Sequence, residues 1–257
     1  MPWLKPHFPG LDLESPQTTA LHRGLIRSKP LLRRWYETQY AAYLKQVGPQ
    51  NSGRHVELGS GGGFLKDLFP AAITSSVRPE DQAAGFVERV LDAHALDLED
   101  ASVDSFFLLD VLHHLQDPAA FFRELSRCLK PGGFAWIVDP ANTPLSRAIY
   151  KLFHHEGFDP DSPSWGHAHA GTLSQSNQAM AWIVFERDRR LFEDLFPDLK
   201  IARLEKHTFL SYLLSGGLSY EPLLPGWARP LSPLVEFLAR PLMPWLGQSM
   251  TVLLIKR

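Results

Sequence analysis

The chain is poor in cysteine, in net charge and in uninterrupted apolar stretches. It has one cysteine, Cys128, in 257 residues, so no disulfide can form within it and a reducing compartment is expected. The formal net charge is −2 and the basic residues are scattered, which argues against a nucleic-acid partner. Prolines at positions 2 and 6 and Lys5 interrupt the start, where a signal peptide needs an apolar run, and we expect a cytoplasmic protein.

The remaining composition is that of a globular enzyme. With 44% hydrophobic and 21% charged residues, the chain can bury one substantial core and carry an attached cap. Apolar residues at helical spacing between Leu32 and Leu44 predict a helix that ends before Gly48. We expect a helical segment over residues 1–48, then a main domain over 49–257 with cap insertions at about 140–180 and 208–247.

One segment, residues 56–65, has the pattern of a strand that runs through a glycine turn into a helix. Gly59, Gly61 and Gly63 permit positive φ and lack the Cβ atoms that would keep a ligand from the backbone. Glu57 precedes them near the end of the strand, where open α/β sheets bind their ligands and a carboxylate can accept hydrogen bonds from an amino group or a sugar.

Two other interpretations of this loop remain open. A dinucleotide-binding loop has the spacing G-x-G-x-x-G, but Phe64 stands where its third glycine should be. A pyrophosphate would also be repelled by Glu57, whereas a cationic ligand would be attracted by it. Alternatively, the glycines serve only to pack a helix on a sheet.

The following residues predict repeated strand and helix units. Residues 102–110 form a turn and an almost wholly apolar strand, which is typical of a buried parallel sheet. Asp117 and Pro118 are suited to cap and begin a helix, and residues 134–138 form the next strand, which ends at Asp139. This βαβ pattern predicts a doubly wound α/β fold, and a single further helix is expected over 182–196.

Three later phrases complete a resemblance to a known family. They are Asp92-Ala93 before Ala95-Leu96, the run Asp110-Val111-Leu112-His113-His114-Leu115, and Leu129-Lys130-Pro131-Gly132-Gly133. Together with the glycine loop they resemble the class I S-adenosylmethionine-dependent methyltransferases, closely over about residues 47–139 and loosely in the tail. The resemblance implies a mostly parallel, seven-stranded Rossmann-like sheet, S-adenosylmethionine as cofactor, and final strands at 200–204 and 250–256.

The resemblance also implies a role for individual residues. The methionine end of the cofactor would be held by Glu57, Gly59, Ser60, Gly61 and Gly63. The adenine would be bound by the Asp92 carboxylate and the Ala93 backbone amide, and Asp110 would lie beside the transferable methyl group. For Asp92 the alternative is a turn residue that caps the next segment.

The sequence departs from the family at the end of the second strand. Ser76 stands where an acid usually binds both ribose hydroxyls. Either Glu80 or Asp81 replaces that acid, or Ser76 binds the ribose alone, in which case a Ser76→Asp substitution should tighten cofactor binding. Weak cofactor use would make the chain a methyltransferase-like binding module, and a nucleotide-dependent oxidoreductase is the remaining alternative.

Catalysis would consist mainly in alignment for an in-line displacement, with a base to remove the proton of a hydroxyl acceptor. His113 and His114 follow Asp110 and have a suitable side-chain pKa, although either could simply pack. His154, His155, His167 and His169 lie in the long connection after Asp139 and would line an acceptor pocket or pack beside the sheet. No metal site is expected, because that connection has no H-x-x-x-H pair and no cysteine.

The stretch from 209 to 247 is apolar but contains many prolines, so it cannot span a membrane. Its leucines and tryptophans either pack on the sheet as a cap or remain exposed as the mouth for a hydrophobic acceptor taken from a membrane surface. We therefore expect a small or lipid-like acceptor and a peripheral membrane contact. The sequence leaves the oligomeric state open.

Overall fold

A computed structural model describes residues 15, 17–49, 52–153, 157–166, 176–208, 210–224 and 226–257. Its centre is a seven-stranded sheet in the order β3-β2-β1-β4-β5-β7-β6. The strands are β1 (His55–Leu58), β2 (Ile73–Ser76), β3 (Arg89–Val90), β4 (Val103–Leu109), β5 (Leu129–Pro140), β6 (Leu199–His207) and β7 (Ser249–Lys256). Strands β1 to β5 are parallel, whereas β7 is antiparallel to both neighbours. The expected doubly wound, mostly parallel sheet is confirmed.

The helices of the described residues surround this sheet. They are α1 (Thr18–Ser28), α2 (Pro30–Val47), α3 (Leu65–Leu68), α4 (Pro79–Ala83), α5 (Pro118–Cys128), α6 (Pro144–Phe153), α7 (Met180–Trp182), α8 (Arg189–Leu195), α9 (Ser211–Ser215), α10 (Ser232–Ala239) and α11 (Met243–Leu246). Within the described residues, no helix is long and apolar enough to cross a membrane.

The two faces of the sheet bury separate cores because successive strand residues point to opposite sides. On β4, Phe106 belongs to the core beneath α5, whereas Phe107 belongs to the core beneath α2. Tyr43 of α2 is fully buried, and its hydroxyl is 2.7 Å from the Ser105 hydroxyl of β4. Helix α2 is therefore fixed to the middle of the sheet, as part of the main core.

Helix α5 begins as its sequence predicts. The Asp117 carboxylate accepts a hydrogen bond of 2.9 Å from the Ala120 backbone N–H, and Pro118 occupies the first turn. Phe121, Phe122 and Leu125 are fully buried against the sheet. The helix thus supports the carboxyl ends of the neighbouring strands.

The helix predicted over 182–196 is present, but it is not one continuous α-helix. The chain forms α7, a π-helical turn over Ile183–Arg187, and then α8 after a break at Asp188. Asp188 is held by other contacts, since its carboxylate accepts from the Trp165 indole N–H at 2.8 Å and from Arg187. Arg187 also donates to the Pro160 carbonyl at 2.8 Å, so Arg187 and Asp188 anchor the 157–166 segment.

Candidate active site at the carboxyl edge of the sheet

The glycine loop after β1 is shaped mainly by protein contacts. Gly59 and Gly61 use the positive φ that glycine permits, at 66° and 49°, whereas Gly63 does not. A Cβ at Gly59 would lie 2.6 Å from Val111 Cγ2, and a Cβ at Gly63 would overlap the Tyr40 hydroxyl. A Cβ at Gly61 would meet nothing closer than 3.8 Å, so this glycine is where the loop leaves its backbone open to a ligand.

The loop is fastened to β2 by short hydrogen bonds. The Ser60 hydroxyl accepts from the Ser75 backbone N–H at 3.1 Å, and the Ser60 N–H donates to the Ser75 carbonyl at 2.8 Å. The Ser75 hydroxyl donates to the Glu57 carbonyl at 2.8 Å. Ser60, expected from the resemblance to bind the methionine end, therefore uses its side chain to hold the loop rigid.

Glu57 is a buried acid with an unused acceptor. Its side chain is only 3% exposed, and its Oε2 has no hydrogen-bond partner among the described residues. Burial raises the pKa of Glu57 to about 7, against a smaller opposing effect of Ser60 and the Arg23 charge. A cationic group that entered beside Glu57 would stabilise its ionised form.

Helices α1 and α2 cover the loop. The Arg23 guanidinium donates to the Gly63 carbonyl at 2.9 Å, and the buried Tyr40 hydroxyl accepts from the Phe64 N–H at 3.0 Å. A Cβ at Gly62 would lie 2.7 Å from the Arg23 backbone nitrogen, so only glycine allows α1 to approach this closely. Sequence reasoning missed Arg23 and Tyr40 because they lie 40 and 24 residues before their partners.

The second strand ends in a buried pair. The Ser76 hydroxyl donates to Asp81 Oδ2 at 2.6 Å, and Asp81 is 2% exposed. Asp81 Oδ1 has no hydrogen-bond partner among the described residues, whereas Glu80 is exposed. Of the two acids that could replace the missing ribose ligand, Asp81 is therefore the one placed at the carboxyl end of β2.

Asp92 and Ala93 follow β3 in a tight turn. Asp92 Oδ1 accepts from the His94 backbone N–H at 2.9 Å and lies 2.8 Å from His94 Nδ1. His94 Nε2 accepts from the Asp117 N–H at 3.2 Å, which connects this turn to the start of α5. The turn-capping interpretation of Asp92 is thus realised, and its carboxylate is still half-exposed at the sheet edge.

The ends of β4 and β5 bring a histidine and two acids together. Asp110 follows β4 with a left-handed φ of 56°, and its N–H donates to the Val138 carbonyl at 2.9 Å. Such a conformation costs an aspartate of order 1 kcal/mol or more, and strain of this kind is concentrated at functional sites. His113 Nδ1 lies 3.0 Å from Asp139 Oδ1, both side chains being buried.

The two candidate histidines therefore differ. His113 contacts Asp139, whose Oδ2 has no hydrogen-bond partner among the described residues. His114 is half-buried and its ring lies 4.2 Å from that of His113, measured between centroids. Asp139 was expected only as the end of a strand, because its pairing with a residue 26 positions earlier depends on the sheet register.

Four other histidines named from the sequence, His154, His155, His167 and His169, lie outside the described residues. Within the described part, no group of His, Cys, Asp and Glu side chains is arranged to hold a metal ion. Cys128 is a fully buried free thiol on α5, and burial raises its pKa to about 11.

Comparisons with known proteins agree with this geometry. A family model described as a methyltransferase domain matches residues 56–137, from β1 to β5. A ubiquinone biosynthesis O-methyltransferase of Parvibaculum lavamentivorans is 29% identical over 119 residues, which are 41% of this chain and 47% of that relative. The chain thus spans about half the length of this curated relative.

Two solved structures have a similar fold. A phosphoethanolamine N-methyltransferase of Haemonchus contortus, in complex with S-adenosyl-L-methionine, aligns with a TM-score of 0.51 at 15% identity over 95% of this chain and 58% of that one. A Thermotoga maritima S-adenosylmethionine-dependent methyltransferase, described as a possible histamine N-methyltransferase, has a TM-score of 0.51 at 16% identity, covering 93% and 99%. At these identities the likeness concerns the fold.

The glycine loop with its buried acid, the order of the strands and the matched domain lead to one assignment. Residues 56–137 are a methyltransferase domain, and the fold around them is similar to that of S-adenosylmethionine-dependent methyltransferases, whose cofactor is S-adenosylmethionine.

Proposed function

We propose that this protein transfers a methyl group from S-adenosylmethionine to the hydroxyl of a small, largely apolar acceptor. The observation that carries the proposal is a set of three buried carboxyl groups that line the carboxyl edge of the sheet. Among the described residues, Glu57 Oε2, Asp81 Oδ1 and Asp139 Oδ2 are all without a hydrogen-bond partner. Buried acceptors of this kind are costly unless a ligand supplies donors, and the cofactor has an ammonium group for Glu57 and ribose hydroxyls for Asp81, while Asp139 faces the proposed base.

Glu57 would bind the methionine end. Its carboxylate lies beside the glycine loop, where Glu57 Oε1 is 3.7 Å from the position of a Cβ at Gly63. The ammonium group would hydrogen-bond to Glu57 and remove the cost of ionising it in a buried position. Arg23 and Tyr40 would position the loop without contacting the reacting atoms.

Asp81, oriented by Ser76, would bind the ribose. The Ser76 hydroxyl donates a hydrogen bond to Asp81 Oδ2, so Asp81 Oδ1 would accept from one ribose hydroxyl. In this arrangement the acid comes from the first turn of α4 instead of the end of β2. Asp92 and the backbone of Ala93 would bind the adenine from the turn after β3. Asp92 Oδ1 accepts from the His94 N–H, and Asp92 Oδ2 would accept from the adenine amino group.

The proton of the acceptor would leave through His113. When bound, S-adenosylmethionine supplies a methyl group on a positively charged sulfur, and an acceptor oxygen that attacks the methyl carbon in line displaces the sulfur as a neutral thioether. Asp139 holds His113 Nδ1 and stabilises the imidazolium that forms when Nε2 takes the hydroxyl proton. Asp110, fixed in its strained conformation, would line the same end of the site.

The acceptor class rests on two considerations. A base paired with a buried acid is needed for a hydroxyl but not for an unprotonated amine, and the curated relative is named an O-methyltransferase. The half-buried apolar side chains of α9, Tyr212, Leu213 and Leu214, would suit a hydrophobic acceptor body.

Calorimetry with S-adenosylhomocysteine and with NAD tests the cofactor assignment, and binding of the first alone is expected. Release of S-adenosylhomocysteine from S-adenosylmethionine in the presence of phenols, catechols and amines then tests the acceptor class. Binding without turnover of any acceptor would favour the binding-module alternative. Binding of NAD alone would overturn the proposal.

A further inference from the structure

Helix α10 carries its large apolar side chains on the outside. Phe237, Leu238 and Leu234 are 58%, 65% and 56% exposed, whereas Ser232 and Ala239 are buried. A surface helix of a soluble domain normally has the opposite arrangement, with its apolar stripe facing the core. Packing among the described residues therefore does not explain the sequence of α10.

The segments that flank α10 continue the same apolar surface. Trp227, in the 3₁₀ turn before α10, is 78% exposed, and Trp245 of α11 is 56% exposed. The 3₁₀ turn with Trp227 packs against α10, and the short 3₁₀ turn Arg240–Leu242 packs against both α10 and α11. We call the exposed apolar side chains of this segment the outer face; they are those of Trp227, Leu231, Leu234, Val235, Phe237, Leu238, Leu242 and Trp245.

The acidic and basic side chains of this segment lie on different sides of it. Glu236 is the only acid between residues 226 and 247, and it is turned inward. Its carboxylate accepts from the backbone N–H groups of Leu210 and Ser211, at 2.9 and 2.8 Å. Arg240 is exposed, with its guanidinium carbon 5.2 Å from the centre of the Phe237 ring. The outer face therefore presents apolar groups and a cation, while the acid serves as a cap for α9.

We propose that this outer face docks on the surface of a phospholipid bilayer, with its aromatic and leucine side chains inserted at the level of the headgroups. Tryptophan and arginine are suited to that interface because each combines an apolar body with a polar group that stays in contact with water or phosphate. Large exposed apolar patches mark interaction sites, and a short segment of this kind lies in the interface without spanning it.

A bilayer fits this face better than a second copy of the chain. A symmetric dimer would bring two copies of the same face together, with Arg240 present in both and, within residues 226–247, no acid except the inward-turned Glu236 to pair with it. Phosphate groups of lipids supply the missing anions across the whole surface.

The face is also joined directly to the proposed reaction site. The chain runs from α11 to Gln248, whose carbonyl accepts from the Ala141 N–H at 2.9 Å, two residues beyond Asp139. The Tyr150 hydroxyl of α6 donates to the same carbonyl at 2.9 Å. An acceptor dissolved in the bilayer would thus meet the protein at the elements that cover the end of β5.

Flotation with vesicles of phosphatidylcholine, with and without phosphatidylglycerol, tests the inference on the full chain. The protein should float with both, and more with the anionic vesicles. The double substitution Phe237→Ser/Leu238→Ser should weaken partition into the vesicles by about tenfold or more, since two large apolar groups lose their insertion. Trp227→Ser/Trp245→Ser is a second pair that should act in the same way.

The matched control is Leu191→Ser/Leu195→Ser, which removes two exposed leucines from α8 and should leave flotation unchanged. Affinity for S-adenosylhomocysteine should be equal in all these variants, so failure of docking and failure of the cofactor assignment are separate results. Absence of flotation, or an equal loss in the control, would overturn the inference. So would a dimer in light scattering that the Phe237→Ser/Leu238→Ser variant abolishes, since the occupant would then be a second copy.

Discussion

His113 and Asp139 form a buried pair in which Nδ1 of the histidine lies 3.0 Å from Oδ1 of the aspartate. They come from different elements, the 3₁₀ turn Leu112–His114 after β4 and the end of β5. Because the two strands are parallel and neighbours, their carboxyl ends deliver both groups to the same edge. The pair has the geometry in which an acid orients a histidine for proton transfer.

Removing one partner of this pair should destabilise the fold. His113→Ala would leave the Asp139 carboxyl buried with no partner, which typically costs about 3–5 kcal/mol in the free energy of unfolding. The double substitution with Asp139→Ala should cost less than the sum of the single ones. Urea unfolding of the four proteins of this cycle measures the coupling energy.

The same variants separate the two histidines as catalytic groups. With an acceptor found by screening, His113→Ala should lower kcat by about a hundredfold or more, which is typical of a lost general base. His114→Ala is the matched control and should show no coupling to Asp139. A larger loss of kcat for His114→Ala than for His113→Ala would identify His114 as the general base instead.

Cofactor affinity should depend on pH through Glu57. Its pKa of about 7 in the unliganded protein lies above the ordinary value, so below pH 7 a proton must leave before an ammonium group can bind. The affinity for S-adenosylhomocysteine should rise by up to about tenfold per pH unit between pH 5 and 7 and then level off. Calorimetry over this range should show the dependence in the natural chain and a flat, weaker profile in Glu57→Gln.

The ribose assignment predicts a difference between two neighbouring acids. Asp81→Asn should weaken S-adenosylhomocysteine binding by about 1.5–3 kcal/mol, because a charged hydrogen bond is lost. Glu80→Gln, on the exposed side of the same turn, should leave it unchanged. Equal effects of the two substitutions would contradict the assignment of Asp81.

The pair Ser76 and Asp81 also reverses an expectation drawn from the sequence. Ser76→Asp should no longer tighten binding, because it would place two carboxylates in contact where a hydroxyl now donates at 2.6 Å. The exchange Ser76→Asp/Asp81→Ser should recover most of the affinity that Ser76→Asp loses. Calorimetry of the single and exchanged variants tests this, and tighter binding by Ser76→Asp alone would refute it.

His207 should make the fold sensitive to acid. Burial lowers its pKa to about 4, and its ring is 2.9 Å from the Thr208 hydroxyl and 2.8 Å from that of Thr251. Between pH 6.5 and 4 the unfolded chain binds a proton that the native histidine does not, so stability falls as the pH falls through this window. The loss should be at most about 3 kcal/mol, and His207→Gln should reduce it in urea melts at pH 7 and 4.5.

Local patterns in the sequence were enough for several features. The glycine turn after β1, the Asp117 cap of α5 and the apolar strands around Phe106 all depend on neighbours within a few residues, and they appear as predicted. The order of these elements was sufficient for the doubly wound sheet, since parallel strands joined by helices have few topologies. The resemblance in these same segments predicted the methyltransferase domain that the family model matches.

Tertiary structure decided what depends on distant contacts. Asp81 reaches the end of β2 only because α4 folds back onto Ser76, and the reason for glycine at 62 and 63 is the approach of α1 and Tyr40. The pairing of His113 with Asp139 follows from strand register. The sequence determined that the 209–247 segment is apolar and cannot span a membrane, but not which way its side chains point. The contact of Glu236 with α9 turns the acid inward and the large apolar groups outward, and an interaction across 26 residues is not encoded in any local pattern.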